Sequence, residues 1–416
     1  MDLVGHVLTV TEQVRLVPPD TTELVFNFNP LQTPGVVAGL TAEINDVPAE
    51  PWLEGVWLHL PLSAGTAAGQ PLTVAFAYQL QLPVVEPWAW AWRGTLGYTP
   101  AQINLGDWYP VLALHSAGGQ WLRHTPSPLG EYAMTVAADY RVRLSAAAGQ
   151  AWPLLVGSGA PVECGDDRCF EMKGARFVAY VAAPGMQASS ATTRAGQIVT
   201  SVYLPEHAAA GEAALKAATA ALEVFSDRYG AYTQPTYTQI EGDFYDGMEY
   251  SGLAFVGRSY YEGFDGTPQN LLTIISAHET AHQWWHTLVG SDQAAEPWLD
   301  EALATYSELI FLEAQHPQAV QWWWVSRVQS YQPAGAVDGS IYAFLDFRAY
   351  VDGVYLRGAQ MLQAMRQALG DEQFFGFLRA YAQAHAGGLA TGEDFWRAYA
   401  EAGGDVAAIR REYMPR

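Results

Sequence analysis

From residue 1 to about 183, apolar and polar positions alternate with a period of two, interrupted by Gly, Pro and Asn. In PLTVAFAYQL, Val74, Phe76, Tyr78 and Leu80 share one face. In DYRVRL, Tyr140, Val142 and Leu144 point one way and Arg141 and Arg143 the other. Successive strand residues face opposite sides of a sheet, so alternation with turn signals about every 8–12 residues predicts an antiparallel β saddle or sandwich. Trp88, Trp90 and Trp92 alternate in the same way in PWAWAWRG and are expected to form a sheet-packing face rather than a ligand platform.

Past the Gly/Ser/Thr-rich stretch PGMQASSATTRAG the period changes to about 3.6. Leu215, Leu222, Phe225 and Tyr229 form a stripe within 209–229 that Gly230 closes, as on an amphipathic helix. A short β region follows, containing TYTQIEG and GLAFVG. Thr267-Pro268 then opens a helix that Gly290 closes, Pro297 opens the next, and Asp371 and Thr391, with Asp394 three residues on, open two more. The pattern divides the chain into a β domain over 1–183 and an α+β domain over 184–416, mainly helical in its second half.

With 416 residues, half of them hydrophobic and 13% aromatic, the chain can build a large core, which excludes intrinsic disorder. Its net charge of −22, with Lys173 and Lys216 as the only lysines, repels phosphate backbones and anionic lipid and argues against a nucleic-acid partner. No apolar run approaches the roughly 20 residues of a membrane span. The start, MDLVGHVLTV, lacks a signal-peptide layout. The chain is therefore expected to be soluble, either cytoplasmic or exported with a leader absent here. Cys164 and Cys169 are too few for a four-thiolate zinc site and leave open a local hairpin disulfide or two inert thiols.

The chemistry concentrates in HETAH, residues 278–282. Residues four apart on a helix lie about 40° apart around its axis, so His278 and His282 can grip one ion while Glu279 reaches a water on it. A catalytic zinc needs a third protein ligand and an open position. Glu301, in WLDEALATYSE, follows His282 after 18 intervening residues, the gluzincin spacing H-E-x-x-H-x18-E. His286 continues the four-residue series, but three imidazoles in a row would span about 12 Å, too long for one ion, and it is read as structural or as a supporting group. Glu308 is either an acceptor for a ligand histidine or a solvated acid.

These residues resemble the aminopeptidase N family of zinc metallopeptidases, which also includes leukotriene hydrolase. HETAHQWW is similar to the family's H-E-x-x-H-x-W, PWLDEALATYSE to W-L-N-E-G-x-A-x-Y-x-E, and YDGMEYSGLAFVG to the G-A-M-E-N segment with an edge strand after it. VYLRGAQ is similar to Y-x-K-G-A, and LGDWYPVLA stands where the family has F-P-C-x-D.

The resemblance implies a saddle domain followed by a thermolysin-like catalytic domain, one zinc held by His278, His282 and Glu301, Glu279 as general base and Tyr355 as donor to the oxyanion. It further implies Glu249, with Gly247 and Met248, as substrate contacts, Glu249 holding the free α-amine of a peptide. Tyr350 is expected in the pocket wall. For the family's second amine-binding group from the saddle domain, Gln102 is the candidate. Departures are Asp246 for Gly, Tyr250 for Asn, Arg357 for Lys, and Asp300 and Ala302 beside Glu301 for Asn and Gly. Because the chain ends at Arg416, the resemblance implies a minimal two-domain form with a more open cleft. The expected activity is removal of N-terminal residues from peptides. The competing readings are a gluzincin endopeptidase and a noncatalytic binding protein on the same fold.

Overall fold

The computed structural model describes residues 1–63, 69–86, 88–116 and 118–415, with Trp92 described through its backbone alone. In the first half, strands Val7–Leu16, Leu72–Gln81, Val37–Ile44 and Val47–Ala49 form one antiparallel sheet in that order. A second runs Val111–Leu112, Glu23–Asn27, Trp57–Pro61, Trp52–Glu54. The alternating Val74, Phe76, Tyr78 and Leu80 are buried in one core with Leu24, Phe26, Leu58 and Leu60. Phe26 meets Phe76 edge-on at 5.0 Å.

Two further sheets complete this half. Ala138–Leu144, Arg168–Ala175 and Ala160–Val162 form one, and a disulfide joins Cys164 to Cys169 at its hairpin. The other runs Leu155–Gly157, Tyr180–Ala182, Ile103–Leu105, Leu96–Tyr98.

The tryptophan alternation does not make a sheet face. Trp88 has φ 67° and Trp90 precedes a single helical turn, Ala91–Gly94. Among the described residues the backbone of this segment pairs with the segment around Tyr245 through a single bridge, Trp90 to Tyr245, rather than through a ladder. Trp88 and Trp90 are 54% and 47% exposed, and the Trp92 side chain lies outside the described residues.

The second half opens with a five-stranded sheet of β1 (Gln187–Thr192), β2 (Ile198–Tyr203), β3 (Thr236–Gly242), β4 (Gly247–Tyr250) and β5 (Leu253–Gly257). The order is β1-β2-β3-β5-β4, with β2, β3 and β5 parallel. LAFVG is therefore interior, and GMEY is itself the edge strand, antiparallel to it. Between β2 and β3 runs α1 (Ala208–Tyr229), whose Leu215, Leu222, Phe225 and Tyr229 are buried and which ends at Gly230 with φ 121°.

The metal-bearing helix α2 is Leu271–His282. It starts later than Thr267-Pro268 because Asn270 caps it, its side chain accepting from the Thr273 N–H at 3.0 Å, while Thr267 turns back onto Asp265. Beyond His282 the chain continues to Leu288 as a π-helical turn rather than as α-helix. The remaining long helices are α3 (Trp298–Gln315), α4 (Arg357–Leu369), α5 (Asp371–Ala384), α6 (Gly392–Glu401) and α7 (Val406–Tyr413), α6 opening with the Thr391/Asp394 capping box.

One buried arginine fastens the two halves. Arg176 is fully buried and donates to the carbonyls of Thr135 at 2.7 Å, of Thr287 at 3.2 Å and of Gly388. Gly290 must be glycine there, since a Cβ would come within 2.5 Å of the guanidinium. The contact ties the end of the turn after α2 to the β domain.

Candidate metal centre and its cavity

His278 and His282 lie one turn apart on α2 with ring centroids 4.8 Å apart. Glu301, in the first turn of α3, brings Oε2 to 3.3 Å from His278 Nε2 and 3.8 Å from His282 Nε2. The three are buried, and their ligand atoms lie within 4.8 Å of one another.

The ring orientations have a cause. His278 Nδ1 is 3.1 Å from Glu308 Oε1, and His282 Nδ1 is 2.5 Å from Asp300 Oδ1. A carboxylate only accepts, so each Nδ1 carries a hydrogen and each Nε2 faces Glu301, toward which it donates while the ring is charged and where it would offer a lone pair to a metal ion that replaced that proton. Burial opposes charge on His278, yet Glu301 and Glu308 raise it to about 9. Burial likewise opposes charge on His282, but Asp300 and Glu249 lead in raising it well above its ordinary value. This donor set draws positive charge to one point, which fits a divalent cation. Two imidazoles and one carboxylate suit Zn²⁺ with a fourth position left open.

Glu308 is fully buried, not solvated. Besides His278 it accepts from Trp323 Nε1 at 2.7 Å and from Arg327 Nε and Nη2, each at 3.1 Å. Burial works against its ionisation, but Arg327 and His278 outweigh that and hold it below the usual carboxylate range. Asp300 also accepts from Gln293 Nε2 at 2.6 Å, and His286 Nδ1 stands 3.4 Å away.

Glu279 is buried with Oε2 unpartnered, and burial pushes its carboxyl up to about 7. The edge strand runs so close that a Cβ at Gly247 would reach within 2.0 Å of Glu279 Oε1, so any larger residue there would displace the Glu279 carboxylate. Tyr355 sits in a π-helical turn, Val351–Leu356, and stacks on His278 at 6.0 Å with planes 2° apart. Burial, then the Glu301 charge, keeps its phenol protonated. Tyr350 lies fully buried behind it, edge-on at 5.5 Å, rather than in the cavity wall.

Glu249 on β4 is buried, with Oε1 3.5 Å from both His286 Nδ1 and Gln293 Nε2. Beside it stands Glu131 from the β domain. Carboxylate atoms of Glu131, Glu249 and Glu301 lie within 4.8 Å of one another. Burial, reinforced by Glu301, pushes Glu131 up to about 8, and burial likewise raises Glu249. A cation entering here would ionise both.

Gln102 is not in this site. It is fully buried away from the cavity, donating to the Glu241 carbonyl and accepting from the Asp243 N–H at 3.2 Å. Its place in the β strand Ile103–Leu105 region makes it a structural clamp on the end of β3. Glu131 stands where Gln102 was expected. Sequence reasoning missed Glu131 because a lone acid in SPLGEYA has no spacing signature. The available signal was Gly130, at which a Cβ would press to 2.8 Å from the Tyr350 hydroxyl.

His278, Glu279, His282, Glu301, Tyr355, Glu249 and Glu131 line one cavity of about 1030 Å³, walled by both halves of the chain. Gly247 and Met248 line it as well.

Residues 213–413 match the model of the peptidase family M1 domain. Over that segment the chain resembles the aminopeptidase N family. Among curated M1 relatives, the aminopeptidase N of Lactococcus lactis subsp. cremoris is 31% identical over 157 residues, 35% of this chain and 18% of the relative. That of Lactobacillus delbrueckii subsp. lactis is 30% identical over 209 residues, 45% of this chain and 24% of the relative. The chain thus matches about a quarter or less of the length of these relatives. The M1 fold extends over the whole chain. An M1 zinc metallopeptidase from Deinococcus radiodurans superposes with a TM-score of 0.67 at 17% identity, over 99% of this chain and 91% of its own. Legionella pneumophila aminopeptidase A gives 0.70 at 15% identity, over 97% of this chain and 47% of its own. Among the described residues no helix is long and apolar enough to cross a membrane.

Proposed function

We propose that this chain is a zinc aminopeptidase, with 1–183 as the domain that supplies Glu131 and 184–416 as the catalytic domain. The observation that carries the reading is the pair of carboxylates, buried Glu249 and half-buried Glu131, with oxygens within 4.8 Å of one another and of Glu301, a cation site directly beside the metal ligands. It suits the ammonium group of a free N-terminus. With that end held, only the first peptide bond reaches the metal.

His278, His282 and Glu301 would hold the zinc, which when bound polarises the scissile carbonyl and acidifies water. Glu279, unpartnered at Oε2 and raised toward neutrality, takes the proton from the attacking water and delivers it to the leaving amine. The Tyr355 phenol donates to the carbonyl oxygen as negative charge develops there. Glu249 and Glu131 bind the ammonium through charge-assisted hydrogen bonds and set the distance to the bond that breaks.

The test compares matched free-amine and N-acetylated peptides. Wild type should strongly prefer free amines. Glu249→Ala should cut their kcat/KM by about ten- to a hundredfold, the weight of a charged hydrogen bond of roughly 1.5–3 kcal/mol, while affecting blocked peptides far less. Equal cleavage of both, reduced in parallel by Glu249→Ala, would replace this reading with the endopeptidase one.

A further inference from the structure

Gln293 stands between the metal ligands and the carboxylates that hold the amine. It is buried on the turn before α3, and its Nε2 lies 2.6 Å from Asp300 Oδ2, 3.0 Å from His286 Nδ1 and 3.5 Å from Glu249 Oε1. Its Oε1 is buried without a partner. The surroundings fix which way the amide points, since reversing it would set the oxygen against the Asp300 carboxylate, acceptor to acceptor.

These contacts join three elements that carry separate parts of the chemistry. Glu249 is on the edge strand β4, Asp300 in the first turn of α3 and His282 at the end of α2. Asp300 uses both oxygens, Oδ1 toward His282 Nδ1 at 2.5 Å and Oδ2 toward Gln293 Nε2. One amide is therefore one contact from the amine-holding carboxylate and two from a metal ligand. The turn that carries it is itself anchored. The Gly290 N–H donates to the Gly388 carbonyl at 3.1 Å and the Ile341 N–H to the Ala294 carbonyl at 3.0 Å. Asp292 Oδ1 accepts from the Ala295 N–H at 3.1 Å and lies 2.9 Å from His124 Nε2 of the β domain. A buried side chain on an anchored turn can set the position of its partners rather than follow them.

We infer that Gln293 is a positioning residue that fixes the Glu249 carboxylate relative to Asp300 and the His282 it orients, and so sets the spacing between the held ammonium and the metal. This role rests on the aminopeptidase reading, in which a misplacement of about 1 Å costs about 10²-fold in rate. The alternative is a second metal ion, because Glu249, His286 and Asp300 bring ligand atoms within 4.8 Å of one another. The Gln293 nitrogen, within 3.5 Å of all three, already occupies the point on which they converge.

The experiment uses the full zinc-loaded chain and two metal-chelating ligands, L-leucine hydroxamate and its amine-free counterpart 4-methylpentanoic hydroxamate, with binding read by calorimetry. Wild type should favour the amine-bearing ligand by about 10–100-fold, the weight of a charge-assisted hydrogen bond. Gln293→Met keeps the length of the side chain and removes both N–H donors. It should cut that preference to about threefold or less, with little change in affinity for the amine-free ligand and with zinc still near one per chain. Gln293→Ala, which also lacks the amide and adds no bulk, is read in the same way should the methionine variant not fold. Equal weakening of both ligands, as a purely structural loss would give, or an undiminished preference overturns the positioning role and leaves the aminopeptidase reading standing. Two zinc ions per wild-type chain, both lost progressively on Glu249→Ala and His286→Ala, overturn it in favour of the second metal site. Equal binding of the two hydroxamates by wild type overturns the aminopeptidase reading, and the positioning role with it.

Discussion

Glu308→Gln should weaken zinc binding without touching a zinc ligand. The wild-type carboxylate receives four donors: His278 Nδ1, Trp323 Nε1 and two nitrogens of Arg327. A glutamine offers one acceptor oxygen and an NH₂ group that donates. If the NH₂ faces His278, it donates to Nδ1, moves the ring hydrogen to Nε2 and removes the lone pair that faces Glu301. If it turns away, it points its hydrogens at Arg327. The first arrangement costs His278 its acceptor and the second leaves it a neutral one, and weakening an outer partner of this kind lowers metal affinity by about 10–100-fold. Separately, three charge-assisted bonds become neutral or are lost, at about 1 kcal/mol each, so the metal-free protein should lose about 3 kcal/mol. Glu308→Ala, which strands Arg327, should lose about 3–5 kcal/mol. Zinc affinity by chelator competition and urea unfolding in excess chelator read the two effects apart. A Glu308→Gln protein with unchanged zinc affinity and unchanged metal-free stability would refute the tautomer argument.

Tyr355→Phe should lower kcat by about 10²–10³ with little change in KM, since it removes one oxyanion donor; steady-state kinetics showing a pure KM effect would contradict this. Arg176→Met should destabilise the protein by about 3–5 kcal/mol in urea unfolding, because three buried carbonyls lose a charged donor, and a loss under about 1 kcal/mol would count against the fastening role. Asp107 is raised from 3.8 to about 6 by burial. The folded protein therefore binds more protons than the unfolded one between those values, and stability falls as pH rises through the window. Asp107→Asn should stabilise by about 1–3 kcal/mol near pH 8 and by little near pH 4, as followed by urea unfolding at both; equal effects at the two would contradict the burial cost.

Much of the centre was legible because it is local. His278, Glu279 and His282 are fixed by helical period, and Glu301 reaches them from a helix whose start at Pro297 and spacing are written in the chain. The β alternation of the first half and the stripe of α1 followed from periods of two and 3.6, and the α6 capping box from Thr391 and Asp394. Other features had no period to read. The π-helical turns after His282 and around Tyr355 are held by packing, not by composition. The edge position of GMEY depends on a strand order that only the assembled sheet sets.

The sequence alone determined which residues could ligate a metal and activate water, because those groups sit at fixed offsets on single helices. Tertiary structure decided what surrounds them. Glu131, 118 positions before Glu249 in sequence, joins it only because a loop from the first domain packs into the cavity, and Gln102, from the same domain, is turned into the core instead. Trp90 reads as a buried face by its spacing and lines the cavity in fact. The physical reason is the same in each case: a period reports which side of an element a residue occupies, but not which other element, from which distance along the chain, is packed against that side.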